Sequence, residues 1–129
     1  MLIELYAGQS ALKEIQQQGL QASRIKMMVG ASGGPKWLML SRLDQYLCEH
    51  FFPQAKQKMA LVGSSVGSWR MALYAQKDPL ARFKEFEDIY LNKQSYSKKL
   101  TPQEITEFVN RVLDSLFSGQ FAKDIVTTH

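Results

Sequence analysis

The chain has 129 residues, 45% of them hydrophobic and 22% charged, with a formal net charge of +4. That is enough for one domain, and the balance is that of a folded globular protein rather than a disordered one. The surplus of positive charge is scattered, densest at Lys93, Lys98 and Lys99, with no block of like charge of the kind that marks a nucleic-acid tail.

Cys48 is the single cysteine, so no disulfide can form within the chain. The first ten residues, MLIELYAGQS, lack the basic start and long apolar core of a secretory signal. No apolar run approaches the roughly 18 residues that a membrane span needs. A reduced, cytoplasmic setting is therefore expected. The mild basicity is compatible with peripheral contact at the inner face of a membrane. No nucleic-acid partner is expected.

In chain order, Leu2 to Tyr6 reads as a short strand. Ser10 reads as the cap of a helix over Ala11 to Gln18, with Gly19 just past its end. Ile25 to Val29 is a second β-like run, ending in Gly30-Ala31-Ser32-Gly33-Gly34-Pro35. Pro35 suits the first turn of a helix, where its missing N–H costs little. That helix carries Trp37, Leu40, Leu43, Leu47 and Phe51 at steps of three and four, the pattern of a core face, and Pro53 closes it.

The stretch Met59 to Gln76 comes next. Met59 to Val62 is a short apolar strand, Gly63-Ser64-Ser65-Val66-Gly67 a sharp turn, and Ser68 to Gln76 a mostly apolar helix. Asp78-Pro79 reads as cap and first residue of the next helix, with Leu80, Phe83, Phe86, Ile89 and Tyr90 on one face and an end near Asn92. Gln94 to Leu100 reads as a loop. Thr101-Pro102-Gln103-Glu104 has the pattern of a capping box. Its helix shows an unbroken apolar stripe from Ile105 to Phe117. Ser118 to His129 shows no clear element.

Strand, helix and strand between Ile25 and Val62 make a βαβ unit, and its strands must be parallel. Both glycine loops then leave the same edge of the sheet, where open α/β sheets build their sites. Each loop fits G-x-S-x-G, the turn that lifts a serine off a strand end. Spacing alone thus leaves two candidate nucleophiles, Ser32 and Ser65, and a pair of tight turns without chemistry would give the same pattern. The amides of Gly33, Gly34 and Val66 are candidate donors to an oxyanion. Gly63 and Gly67 allow the elbow to bend.

Other site chemistries fit poorly. Pro35 separates Gly34 from Lys36, which breaks a P-loop pattern. Neither loop is G-x-G-x-x-G, and no histidine–cysteine cluster has metal spacing, so no cofactor or metal is expected. His50 precedes Ser65 and His129 is the last residue, so a Ser-His-Asp triad in hydrolase order lacks its histidine.

At these residues the chain resembles the patatin-like phospholipase family, in its bacterial branch. Gly33-Gly34-Pro35-Lys36 matches that family's G-G-x-[RK]-G oxyanion loop, with Trp37 in place of the last glycine, and Gly63 to Gly67 matches its G-x-S-x-G motif. The resemblance implies a three-layer α/β/α fold and a Ser-Asp dyad. It makes Ser65 the nucleophile and places Ser32 in the oxyanion loop. The implied activity is hydrolysis of lipid or other esters without a cofactor. The family's D-G-[GA] motif, which supplies the dyad aspartate, has no counterpart, because the chain contains no Asp-Gly pair. The likeness runs from about Ile25 to Phe117 and family members are longer. The expectation is a single incomplete hydrolase domain over residues 1–129, a partial α/β/α fold with the base outside the chain. The alternative is a non-catalytic remnant or interaction domain on the same scaffold.

Lys36 is a candidate contact for a phosphate or carboxylate of the substrate. Arg70, in an otherwise apolar helix, requires a partner and is expected to form a structural ion pair. Trp37 and Trp69 are expected to pack their helices against the sheet.

Overall fold

A computed structural model describes residues 4–55, 57–93 and 101–127. Helix α1 (Gln9–Gln18) begins after Gly8, not at Ser10, which lies inside its first turn. Gly19, at φ 74°, ends it by donating its N–H to the Ile15 carbonyl at 2.8 Å. Residues 4–8 are irregular. Of the expected Leu2–Tyr6 strand, Leu2 and Ile3 lie outside the described residues, and Glu4 to Tyr6 form no strand, with Leu5 and Tyr6 exposed.

Strand β1 (Met27–Gly30) leads through a 3₁₀ segment (Gly34–Leu40), α2 (Ser41–Tyr46) and a π turn (Leu47–Phe51) to β2 (Ala60–Gly63). The two strands pair in parallel, from Met27 opposite Ala60 to Gly30 opposite Gly63. This is the βαβ unit expected from the sequence. The chain is mixed α/β and mainly helical, and its described sheet has two strands.

The buried face of the crossover differs from the apolar stripe of the sequence. Leu40 is exposed and Leu43 and Leu47 are half-buried, while Trp37, Ser41, Asp44, Gln45 and Cys48 are buried. The tighter 3₁₀ pitch shifts the helix face. The polar members of that stripe bury at tolerable cost because each finds a partner. Gln45 Nε2 donates to Ser41 Oγ at 3.1 Å and to Glu87 Oε2 at 2.7 Å.

After the elbow come α3 (Val66–Tyr74) and α4 (Pro79–Asp88). Asp78 caps α4 as expected, accepting the Ala81 N–H at 3.0 Å. The helix then widens into a π turn (Ile89–Lys93). The expected 94–100 loop lies outside the described residues. Helix α5 (Pro102–Phe117) has the full capping box. The Thr101 N–H donates to Glu104 Oε2 at 2.7 Å, and the Glu104 N–H donates to Thr101 Oγ1 at 3.2 Å. A short α6 (Gln120–Thr127) occupies the stretch for which the sequence gives no element. Phe121 packs under the Arg82 guanidinium, 4.3 Å from its ring centroid.

Val66 and Leu73 of α3, Phe83 and Phe86 of α4, and Val112 and Leu116 of α5 form one cluster with Trp37 and Cys48. Phe83, Phe86, Leu73 and Leu116 are at its centre, each with no exposed surface. A fully buried side chain of this size contributes about 1.5–3 kcal/mol. Trp37 stacks on Phe86, with centroids 4.2 Å apart, and Trp69 meets the same ring edge-on at 5.9 Å. Both tryptophans therefore meet Phe86 of α4.

Side chains alternate along a strand, so Met27, Val29, Ala60 and Val62 share one sheet face. Met27, Val29 and Val62 are all exposed, Val29 at 68%. Only the opposite face, with Met28 and Leu61, is even half-buried.

Candidate active site

Because β1 and β2 are parallel and end in register at Gly30 and Gly63, both glycine loops leave the same edge. Ser64 N–H donates to the Gly30 carbonyl at 3.0 Å, which continues the ladder one residue beyond β2. The chain then reverses at Ser65, which has φ 54° and ψ −131°. It is the one non-glycine residue with positive φ among those described. A side chain at such a position costs on the order of 1–3 kcal/mol and persists only where the surroundings enforce it.

The surroundings here are backbone against backbone. A Cβ on Gly30 would lie 2.6 Å from the Gly67 carbonyl oxygen, and one on Gly63 would lie 2.5 Å from Ser68 N. A Cβ on Gly67 would sit 2.7 Å from the Ala31 carbonyl oxygen and closer still to that of Gly30. These glycines let α3 start directly on the strand ends, as a nucleophile elbow requires. Gly33 and Gly34 differ: a Cβ on either would meet nothing within 4 Å. Gly34 has φ 53° and so favours glycine for its conformation, while Gly33 has an extended φ of −171° open to any residue.

Ser65 is exposed, as are Ser64 and Ser32. The amides of Gly67 and Ser68 donate to the carbonyls of Ser64 and Ser65, at 2.9 and 2.8 Å. The Val66 amide, first in α3, has no acceptor within the helix. Gly34 likewise opens the 3₁₀ segment, and the Gly33 carbonyl accepts from Lys36 N–H at 3.2 Å. Lys36 itself is exposed. The arrangement thus offers an exposed hydroxyl on a strained turn, followed directly by the helix-start amide of Val66, which can receive negative charge.

One buried assembly behind the elbow was only half legible in the sequence. Arg70 finds the required partner in Asp44, whose two carboxylate oxygens accept from Nε at 2.8 Å and Nη2 at 2.7 Å. Tyr74 adds a third hydrogen bond to Asp44 Oδ1 at 2.7 Å. Asp44 is 1% exposed. Its hydrogen bond holds the Arg70 pKa above the ordinary value, and burial together with the Asp44 charge drives the Tyr74 phenol far up. Arg70 lies one helical turn beyond the elbow, so the pair fixes α3 to the crossover helix that follows the first glycine loop.

Four of the five aspartates have other engagements, and the fifth, Asp114, is exposed on α5. Asp44 is held by Arg70 and Tyr74, Asp78 caps α4, Asp88 accepts from Asn92 Nδ2 at 2.7 Å, and Asp124 accepts from Gln120 Nε2 at 2.8 Å. Among the described residues, no group of three or more His, Cys, Asp and Glu could hold a metal ion. No described helix is long and apolar enough to cross a membrane. Comparison with family models, curated proteins and solved structures gives no match.

Proposed function

We propose that the chain is the nucleophile-bearing part of a patatin-like serine acyl hydrolase acting on lipid or other esters. The observation that carries this reading is the conformation of Ser65: positive φ, exposed, at a strand–helix junction closed by three glycines in backbone contact. Ser65 Oγ attacks the ester carbonyl, and the carbonyl oxygen takes the negative charge. The amides of Gly33, Gly34 and Val66 receive that charge, each preorganised donor being worth on the order of 3–4 kcal/mol. Collapse of the tetrahedral species breaks the ester C–O bond. The alcohol leaves with a proton, and water then releases the acyl group from Ser65. The proton-accepting aspartate comes from outside this chain, since none of its five aspartates precedes a glycine as the family's motif requires and four of them, Asp44, Asp78, Asp88 and Asp124, are engaged elsewhere. A missing base lowers the rate by roughly 10²–10⁴-fold. Lys36 stands beside the oxyanion loop as a contact for an anionic substrate group.

The exposed apolar sheet face favours a second reading, an interaction domain without chemistry, since Val29 and Met27 are poor surface residues unless something covers them. Prolonged labelling with a fluorophosphonate separates the two. Labelling that disappears in Ser65→Ala and survives in Ser32→Ala supports the hydrolase. Labelling that depends on Ser32 alone removes Ser65 from the role, and an unlabelled protein favours the interaction domain.

A further inference from the structure

A cleft of about 530 Å³ opens at the other end of the strands. It adjoins the start of β2 at Met59 and Leu61 and the end of α3 at Tyr74, whereas Ser65 lies beyond the last residue of β2. The cleft is therefore separate from the elbow, and its ligand is independent of the chemistry assigned to Ser65. Its walls are Cys48, Phe52, Leu61 and the ring of Tyr74.

The polar atoms along these walls have partners or are neutral. The Tyr74 hydroxyl donates to Asp44, and the Gln57 amide donates to the Ala22 carbonyl at 3.2 Å and to that of Ser23. Burial, reinforced by the Asp44 and Asp78 charges, pushes the Cys48 thiol up to about 12, so it stays protonated at neutral pH. Lys58 is different. It lines the same cleft, is exposed, and is the one charged side chain among the described residues of the lining.

We infer that this cleft binds a single-chain amphiphile with an anionic head, of which a fatty carboxylate is the simplest, with its chain among Phe52, Leu61 and Tyr74 and its head at Lys58. The volume lies in the lower part of the range for small-molecule sites. The apolar walls disfavour a charged or strongly hydrogen-bonding body, because such groups would lose water without gaining partners, and the Asp44 and Asp78 charges behind Cys48 keep an anionic head at the opening rather than inside. The cation at the opening selects the sign of the head group.

The test is titration of the purified chain with decanoate and, in parallel, decanol, both kept below aggregation. Binding is read by calorimetry and by the methyl signal of Met59, which lines the cleft, with exposed Met39 as reference. The expected result is saturable one-to-one binding of decanoate that shifts Met59 and leaves Met39 in place. Ala55→Trp, at a half-buried position in the lining, should abolish it. Lys58→Glu should weaken decanoate about fivefold, the upper range for an exposed ion pair, and leave decanol unchanged. Absence of saturable binding, binding that moves Met39 as much as Met59, or equal affinity for decanol and decanoate would each overturn the inference. The Met59 readout uses the unaltered chain and holds even if Ala55→Trp fails to fold.

Discussion

Gly67 in the first turn of α3 lies against Gly30 at the end of β1 so closely that neither position has room for a side chain. This contact joins the two glycine loops and holds the Ser65 turn in its unfavourable conformation. Gly67→Ala forces backbone apart from backbone, and overpacking of this kind costs about 1–3 kcal/mol. Gly33→Ala enters open space at an extended φ and should change stability by less than about 0.5 kcal/mol. Urea denaturation of the two variants checks the contrast. Equal effects would mean that the loops do not meet as described.

Ser65 itself should be a stability liability. Ser65→Gly relieves the positive φ, whereas Ser65→Ala removes the hydroxyl and keeps the strained backbone. Ser65→Gly is expected to be more stable than Ser65→Ala by about 1 kcal/mol, after the entropic cost of glycine in the unfolded chain. Thermal melts of the pair give the difference, and a more stable alanine variant would show that the turn is not strained.

The Asp44–Arg70 pair predicts an asymmetric mutant series. Asp44→Asn leaves the Arg70 guanidinium buried without its counter-charge and should cost about 3–5 kcal/mol. Arg70→Lys loses the two-armed geometry and should also destabilise. The double variant Asp44→Leu with Arg70→Met removes both charges and should recover much of the loss. Double-variant stability no better than that of Asp44→Asn would contradict a simple ion pair.

Two ionisable groups give pH signatures. The Glu104 carboxylate accepts the Thr101 N–H and hydroxyl, which lowers its pKa below the ordinary 4.5. Its contribution to stability is therefore present above pH 4.5 and lost as pH falls through the lowered folded value. Glu104→Gln should flatten the acid limb of the stability curve, measured by urea midpoint against pH. The Cys48 thiol, raised by burial, should resist iodoacetamide at about pH 8 in the folded chain and react once urea unfolds it.

The parallel strands and the elbow were legible because short-range chemistry dictates them: apolar runs ending in glycines, one crossover apart. The caps at Asp78 and Thr101 were legible for the same reason. The buried face of the crossover was not. Its apolar stripe at Leu40, Leu43 and Leu47 lost to a polar one because Asp44 and Gln45 find partners on α3 and α4, which local sequence does not encode. Helix α6 gave no sequence signal because it is eight residues long and is held by tertiary contacts such as Phe121 on Arg82. The two-stranded sheet leaves its apolar face bare, a feature invisible until the register of β1 and β2 is known.

The role of Ser65 as nucleophile is tested most directly by peptide mapping after long exposure to a p-nitrophenyl ester. This leaving group departs without protonation, so acylation proceeds slowly even where the base is missing. One acyl group per chain is expected, carried on Ser65 and absent from Ser65→Ala. An acyl group on Ser32 or Ser64 in its place, or an unmodified chain, would contradict it.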